Sequence, residues 1–379
     1  MSLGKIVTKA VLLHAEDRPM SGVERPGTHQ RYCHPKLSVV ERDLSDIADG
    51  HVRIEMIYAG ICGTDLHLIS ADPQSGYVQS SAPAHIPATG RVIGHEGVGR
   101  IVAVGRHVQH RYVGEIVAPE SIVSCGHCDV CRRGWFNQCR NARLLGMELD
   151  GLFSTYADIP AHLAQPIGSL SNTDDGLRAA AMLEPAGVAY LACENARIGP
   201  GDRVVVFGAG PIGLLTAILA KSAFGAACVE IVELQKFRHE LAAKFCDRVY
   251  YPDEFNTATH KFDALIEASG ALDAAMHHFR RLDAHGRLCL LARSGKPLMI
   301  DAVDHMITNN VSIVGYRGHL GGVYERLIRL IEAGRLPITR LVTGVVEGIS
   351  ELDTMLAEPD KIVSEHCKVL CRISTSSIV

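Results

Sequence analysis

Between Asp202 and Lys221 the chain runs from a short apolar stretch at 204–207, through Gly208-Ala209-Gly210-Pro211-Ile212-Gly213, into a helix-forming segment. No other feature restricts the fold as sharply. The first glycine lets a strand turn tightly, the second lets backbone approach a pyrophosphate, and the third lets the helix pack against the sheet. The helix N-terminus then offers free N–H groups and a positive dipole end to phosphates. Glycine-rich turns also occur without any ligand. Here a second apolar stretch, 229–232, ends at Glu233, twenty residues beyond Gly213. An acid at that spacing accepts hydrogen bonds from the adenosine ribose hydroxyls and repels a 2′-phosphate, which favours NAD over NADP. Arg238 lies close by and keeps NADP open.

The surrounding pattern agrees. Compact apolar runs at 204–207, 228–232, 264–267, 288–291 and 312–314 alternate with helix-length segments. That alternation predicts parallel strands with crossover helices, buried on both faces. Before it, short Val- and Ile-rich strands are expected at 7–13, 37–42, 51–58 and 98–104, bounded by Gly, Pro or Asp. After it come a helical pattern at 323–333 and short strands at 341–346 and 368–373. A β-rich, then α/β, then β-rich order implies one domain inserted into another. The expected boundaries are 1–170, 171–314 and 315–379.

Composition excludes several classes. With 47% hydrophobic and 21% charged residues among 379, the chain is neither disordered nor short of core material. Its 38 basic against 42 acidic residues leave a net charge of −4, so no basic excess draws it to nucleic acid or anionic lipid. No run reaches the roughly 18–20 apolar residues of a membrane span, and the first thirteen residues lack a signal-peptide core. The expected address is the cytoplasm, where the twelve cysteines stay reduced and read as ligands or core residues.

Four of those cysteines, Cys125, Cys128, Cys131 and Cys139, form C-x2-C-x2-C-x7-C. Thiolates two residues apart can converge on one ion, and four of them suit a closed tetrahedral Zn2+ site that holds a loop and does no chemistry. An iron–sulfur cluster, a redox pair and plain core cysteines are the other readings. The spacing lacks the x3-C-P ending of bacterial ferredoxins. Arg132, Arg133, Arg140 and Arg143 follow, but an acidic chain without a helical His pair gives no zinc-finger contact to nucleic acid.

Two further segments carry ligand types: Gly60-Ile61-Cys62-Gly63-Thr64-Asp65-Leu66-His67 and Gly94-His95-Glu96-Gly97-Val98-Gly99. Singly, Cys62 reads as a small buried hydrophobe and His95 as a satisfied core histidine. Together, beside a nucleotide domain, they read as a second metal site. The sequence at this point resembles the zinc-dependent medium-chain dehydrogenases, the alcohol, polyol and threonine dehydrogenases. Gly94, His95, Glu96, Gly99, Gly105 and Val108 meet the signature G-H-E-x2-G-x5-G-x2-V. The cysteine quartet, Leu183-Glu184-Pro185 and the glycine-rich turn follow in family order.

The resemblance implies an α/β fold, with a doubly wound parallel Rossmann sheet inserted into a β-rich GroES-like catalytic domain that carries a structural-zinc lobe at 125–139. It also implies two zinc ions per chain. The structural one is held by Cys125, Cys128, Cys131 and Cys139. The catalytic one has Cys62 and His95 as ligands, with Glu96 or Glu184 as the oxygen ligand. An oxygen in place of a second thiolate leaves the ion a stronger Lewis acid. Asp65 is expected to orient His95 through its other ring nitrogen. Thr64 and His67 resemble the family's proton relay to solvent, although a strand-end hydroxyl and a surface histidine would look the same. The implied reaction oxidises a small secondary alcohol, a polyol, sugar or cyclitol, to the ketone by hydride transfer to nicotinamide. The nucleotide is held by Gly208, Gly210, Pro211, Ile212, Gly213, Glu233 and Arg238. Alternatives are an L-threonine 3-dehydrogenase-like or simple alcohol dehydrogenase activity, or a zinc-stabilised nucleotide-binding protein without catalysis. Relatives form homodimers or homotetramers through the sheet edge, here 312–314.

Two stretches depart from the family. Cys62 and His95 are thirty-three residues apart, and the excess falls at 70–89, rich in Ser, Ala, Pro and Gly, with Tyr77 and His85. This segment reads as a lid or specificity loop, or as a solvated excursion. The other stretch, 14–35, carries His29, Cys33 and His34 and reads as a surface hairpin interrupting the first strand pair, with a third metal site as a remote alternative.

Overall fold

A computed structural model of the chain describes residues 6–374. Residues 1–5, the start of the segment read as lacking a signal peptide, lie outside them. Two compact units divide it: Met1–Glu184 with Thr339–Val379, and Pro185–Ile338. These boundaries differ from the changes in sequence texture at 170/171 and 314/315. The helix Asp174–Ala180 buries Leu177, Ala179 and Ala180 within the first unit, and the helix Val323–Glu332 buries Val323, Tyr324, Leu327 and Ile328 within the second.

The first unit is built on β-strands. Val7–Asp17 pairs antiparallel with Tyr32–Asp43 and with the short Arg91–Val92. The strands expected at 7–13 and 37–42 therefore run further. Residues 14–17 and 32–35 belong to the ladder itself, and only 18–31 lie outside it as the connection. A larger sheet runs in the order Ala164–Pro166, Ile116–Pro119, Glu96–Val104, His51–Gly60, Lys368–Arg372, Val342–Glu347, with Tyr156–Pro160 also on His51–Gly60. The C-terminal return thus lies against the N-terminal strands: Leu370 faces Gly60 and Cys371 faces Ala59. Alternation along His51–Gly60 buries Val52, Ile54 and Met56 with Ile101, Val117 and Ile159. Another cluster joins Val11, Leu13, Leu68 and Phe153 to Leu352 and Val369.

The second unit carries six parallel strands. Numbered by their own chain order, they lie 3-2-1-4-5-6: Arg248–Tyr250, Cys228–Val232, Arg203–Phe207, Phe262–Glu267, Leu282–Leu290, Ser312–Gly315. This is the Rossmann order, whose direction reverses between the first and fourth strands. The fifth strand begins at Leu282, earlier than its apolar run, because Phe262 pairs with Leu282 across a register shift. Among the described residues no helix is long and apolar enough to cross a membrane.

Candidate metal and dinucleotide sites

Three strand ends converge in the first unit. Gly60 ends its strand opposite Glu96, the first residue of one neighbour, and opposite Leu370, near the start of the other. Two residues after Gly60, Cys62 stands immediately before the helix Gly63–Ile69. The antiparallel register thus brings Cys62, His95, Glu96 and Lys368 to one end of one sheet. Cys62, His95 and Glu96 each offer a ligand atom within 4.8 Å of the others.

Asp65, fully buried in the first turn of that helix, accepts from the Cys62 N–H at 3.0 Å through Oδ2. Its Oδ1 lies 3.4 Å from His95 Nδ1, which leaves Nε2 as the other ring donor. Burial would pull the His95 pKa down, but Asp65 and Cys62 together hold it well above the ordinary value. Glu96 Oε1 is buried without a hydrogen-bond partner. Burial pushes the Glu96 carboxyl up to about 7 despite the Lys368 ammonium beside it. A half-buried thiol beside a buried imidazole and a buried carboxylate with unspent acceptor capacity fits a borderline divalent cation, Zn2+ above all.

Glu184 sits in the first turn of the helix Leu183–Asn195, where free N–H groups favour a carboxylate and Pro185 has no N–H to leave unpaired. It is buried, and its Oε1 accepts from Ser121 Oγ at 2.6 Å. The close three-residue cluster includes Glu96 and not Glu184. Thr64 Oγ1 lies 3.7 Å from Cys62 Sγ. His67 stands at the surface in the last turn of the same helix, where partial desolvation lowers its pKa. Among the described residues no hydrogen bond joins Thr64 to His67.

Two contributors have no motif to announce them. Lys368 is 1% exposed, pairs with the fully buried Glu96, and donates to the Ile61 carbonyl at 2.8 Å. Ser121 is the other. Lys368 opens the strand Lys368–Arg372 just before the apolar run Val369-Leu370-Cys371, and a lysine placed there is the one hint in the sequence.

The four cysteines 125, 128, 131 and 139 also meet within 4.8 Å. Cys139 Sγ lies 3.5 Å from Cys125 Sγ and 4.0 Å from Cys128 Sγ. Sulfurs around a tetrahedral zinc with Zn–S of about 2.3 Å stand about 3.8 Å apart, far beyond a disulfide. Backbone N–H groups aim at the sulfurs: Cys125 and Asn141 donate to Cys139 Sγ at 3.3 Å. Backbone N–H groups at His127 and Cys128 lower the Cys125 thiol to about 6, whereas burial among its neighbours raises Cys131 to about 12. Arg140 clasps Asp129 at 2.7 and 2.8 Å, closing the lobe.

In the second unit, Arg203–Phe207 turns at Gly208 (φ 96°), and Gly210 precedes the helix Pro211–Ser222, with Pro211 first and Ile212 next. A Cβ on Gly213 would lie 1.9 Å from the Gly208 carbonyl oxygen, so only glycine allows the helix this close to the turn. Glu233 is buried. Its Oε2 accepts from Ala209 N–H at 2.6 Å and its Oε1 from Gln235 N–H at 2.7 Å, which ties the acid to the turn. Arg238 brings Nη1 within 3.9 Å of where a Gly210 Cβ would be, and its buried Nε has no hydrogen-bond partner. The turn's free N–H groups, an acid and an arginine therefore stand together at the point where the strand order reverses, the fitting place for a dinucleotide.

Comparison with known proteins agrees with this geometry. The alcohol dehydrogenase GroES-like domain matches residues 48–169. L-threonine 3-dehydrogenase of Pyrococcus horikoshii is 31% identical over 327 residues, 83% of this chain and 89% of that protein. The chain belongs to the zinc-dependent medium-chain dehydrogenases. D-xylulose reductase A of Aspergillus oryzae is 28% identical, covering 82% of this dehydrogenase and 87% of its own length. The solved structure of an alcohol dehydrogenase from Escherichia coli CFT073, in complex with NADH, has a TM-score of 0.80 at 26% identity, over 98% of this chain and 100% of that one. This dehydrogenase is accordingly a zinc-dependent oxidoreductase that works with a nicotinamide cofactor on a small molecule.

Proposed function

We propose that this dehydrogenase oxidises a secondary alcohol of polyol, sugar or cyclitol type to the ketone, with NAD as hydride acceptor. The observation that carries the reading is the Cys62–His95–Glu96 cluster, half-buried at the thiol and buried at the other two, in which a carboxylate takes the place of a second thiolate. The D-xylulose reductase relative and the structure solved with NADH support it.

Cys62, His95 and Glu96 would hold the catalytic zinc, with Glu184 in reserve for ligand exchange. When bound, the ion supplies a Lewis acid that eases loss of the alcohol proton. Asp65 fixes the His95 ring through Nδ1. Lys368 balances the Glu96 charge and, through the Ile61 carbonyl, steadies the backbone next to Cys62. Thr64 and His67 would belong to the relay that carries the substrate proton to solvent, as the family resemblance implies, Thr64 giving up its own hydroxyl proton as it takes the substrate's. Cys125, Cys128, Cys131 and Cys139 would hold a second, structural zinc, making two per chain in these roles. Backbone at Gly208, Gly210 and Ile212 would cradle the pyrophosphate, and Glu233 would bond the ribose and disfavour a 2′-phosphate, Arg238 notwithstanding. Reduced thiols throughout suit a cytoplasmic setting. The strand Ser312–Gly315 is a sheet edge, and Val303 (56% exposed) and Ile307 (75%) lie on the helix that precedes it, which supports pairing of two copies there.

A second reading, oxidation of threonine at its 3-hydroxyl, is favoured by the Pyrococcus relative. One experiment separates the two. NAD reduction is followed across polyols, sugars, cyclitols, threonine and simple alcohols, with zinc content measured before and after chelation. Chelator-sensitive turnover of a polyol or sugar is expected. Turnover of threonine alone would establish the second reading, and full zinc occupancy with no NADH binding would refute both.

A further inference from the structure

The two stretches that depart from the family meet in the structure. Val78 N–H donates to the Tyr32 carbonyl and His34 N–H to the Gly76 carbonyl, each at 2.9 Å, and Cys33 pairs with Tyr77 as an isolated antiparallel bridge. Thr28 Oγ1 donates to the Ala82 carbonyl at 2.6 Å in a buried position. Residues 18–35 and 70–89 therefore form one lobe.

At its seam, Glu16, Cys33 and His34 each present a ligand atom within 4.8 Å of the others. Cys33 Sγ stands 3.8 Å from Glu16 Oε2. Around a tetrahedral zinc with Zn–S of about 2.3 Å and Zn–O of about 2.1 Å, sulfur and oxygen ligands would stand about 3.6 Å apart. Three backbone features build this arrangement. The ladder shifts register between His14 and Glu16, so that Glu16 faces Cys33; continued from His14–Lys36 without the shift, it would face His34. His34 adopts a left-handed conformation (φ 52°), which is disfavoured for a non-glycine residue. Its ring is seated over Gly76 (φ 74°), where a Cβ would come within 2.8 Å of His34 Cε1. Strain, register shift and bare backbone together aim one imidazole and one carboxylate at one buried thiol.

We propose that Glu16, Cys33 and His34 form a third zinc site, distinct from the two assigned above, which fastens the seam on which 70–89 is seated. Thiolate, imidazole and carboxylate are the donor set of a borderline divalent cation. Cys33 is buried whereas Glu16 and His34 reach solvent, so water takes the fourth position. Binding exchanges the Cys33 S–H bond for S–Zn and releases one proton to solvent.

The test is zinc content per chain, by plasma mass spectrometry, of the full-length protein loaded with ZnCl2 and desalted. Wild type should carry one zinc more than Cys33→Ser and one more than His34→Gln. Because His34 is exposed, His34→Gln decides the matter even where Cys33→Ser does not fold. The double variant Cys62→Ser/His34→Gln should carry two fewer than wild type, which separates this site from the catalytic one. Proteolysis within 70–89 should be faster in His34→Gln than in wild type. Equal zinc in wild type and His34→Gln overturns the proposal, whatever the outcome at Cys62.

Discussion

Replacing Lys368 by Met is the sharpest perturbation of the Cys62–His95–Glu96 cluster that leaves all three of its own residues in place. Methionine keeps most of the aliphatic stem and so most of the packing, but removes the ammonium that faces Glu96 and bonds the Ile61 carbonyl. The two side chains are 1% and 0% exposed, so water cannot replace what is lost. Removing one partner of a buried ion pair costs about 3–5 kcal/mol, chiefly because the other charge is left buried and alone. The penalty should depend on pH in a definite sense. Burial holds the Glu96 carboxyl at about 7, well above an exposed glutamate, so its proton is largely retained below that value and the ion pair is then weak in wild type as well. Above pH 7 the wild type gains the pair, whereas in the variant the carboxyl has lost the ammonium that lowered it and must either keep its proton or stand charged and alone, so the penalty should grow from pH 6 to pH 8.5. Adding Glu96→Gln removes the orphaned charge and should restore about 2 kcal/mol or more of the loss. Urea unfolding of the chelator-stripped protein, in which no metal sits on Glu96, measures this by circular dichroism. A Lys368→Met loss below about 1 kcal/mol at pH 8.5, or a double variant less stable than Lys368→Met, would refute the reasoning.

Three other perturbations have defined outcomes. Gly213→Ala sets a methyl 1.9 Å from the Gly208 oxygen and should abolish NADH binding measured by fluorescence titration; unchanged affinity would show that the turn relaxes at no cost. Glu233→Gln keeps one acceptor for the Ala209 and Gln235 N–H groups but loses the charge, so it should bind NADP more nearly as well as NAD while the second unit keeps its melting temperature; an unchanged NAD/NADP ratio would remove Glu233 from cofactor selection. Cys62→Ser should lose one zinc and all turnover while the protein stays folded, whereas Cys128→Ser should lose a different zinc and lower thermal stability; identical behaviour would mean that there are not two independent sites.

What could be read in the sequence, and what could not, divides along sequence separation. The glycine-rich turn, its flanking strand and helix and the cysteine quartet each lie within a few tens of residues, and their chemistry follows from local spacing. Five of the six parallel strands likewise follow from alternating apolar runs, with ends that shift by a few residues because register, not hydropathy, decides where a ladder stops; the sixth, Arg248–Tyr250, is three residues long and has no such run. Lys368 acts on Glu96 across 272 residues, and Ser121 on Glu184 across 63. A lysine just before an apolar run gains meaning only once the C-terminal strand is known to lie antiparallel on His51–Gly60. The ladder of Val7–Asp17 shows the same effect at shorter range. The polar residues of 14–17 and 32–35 look like loop, yet they pair, because Cys33 and Tyr32 are buried and carry the strand onward. Both departures from the family gave no signal of each other, although the backbone of 32–34 bonds directly to that of 76–78. Insertions that pack on one another must be accommodated together, since losing either would expose the apolar underside of the other, Val78 and Ala82 on one side and Tyr32 on the other. The seating of the 70–89 segment is therefore tied to a strand pair whose own sequence gives no hint of the contact.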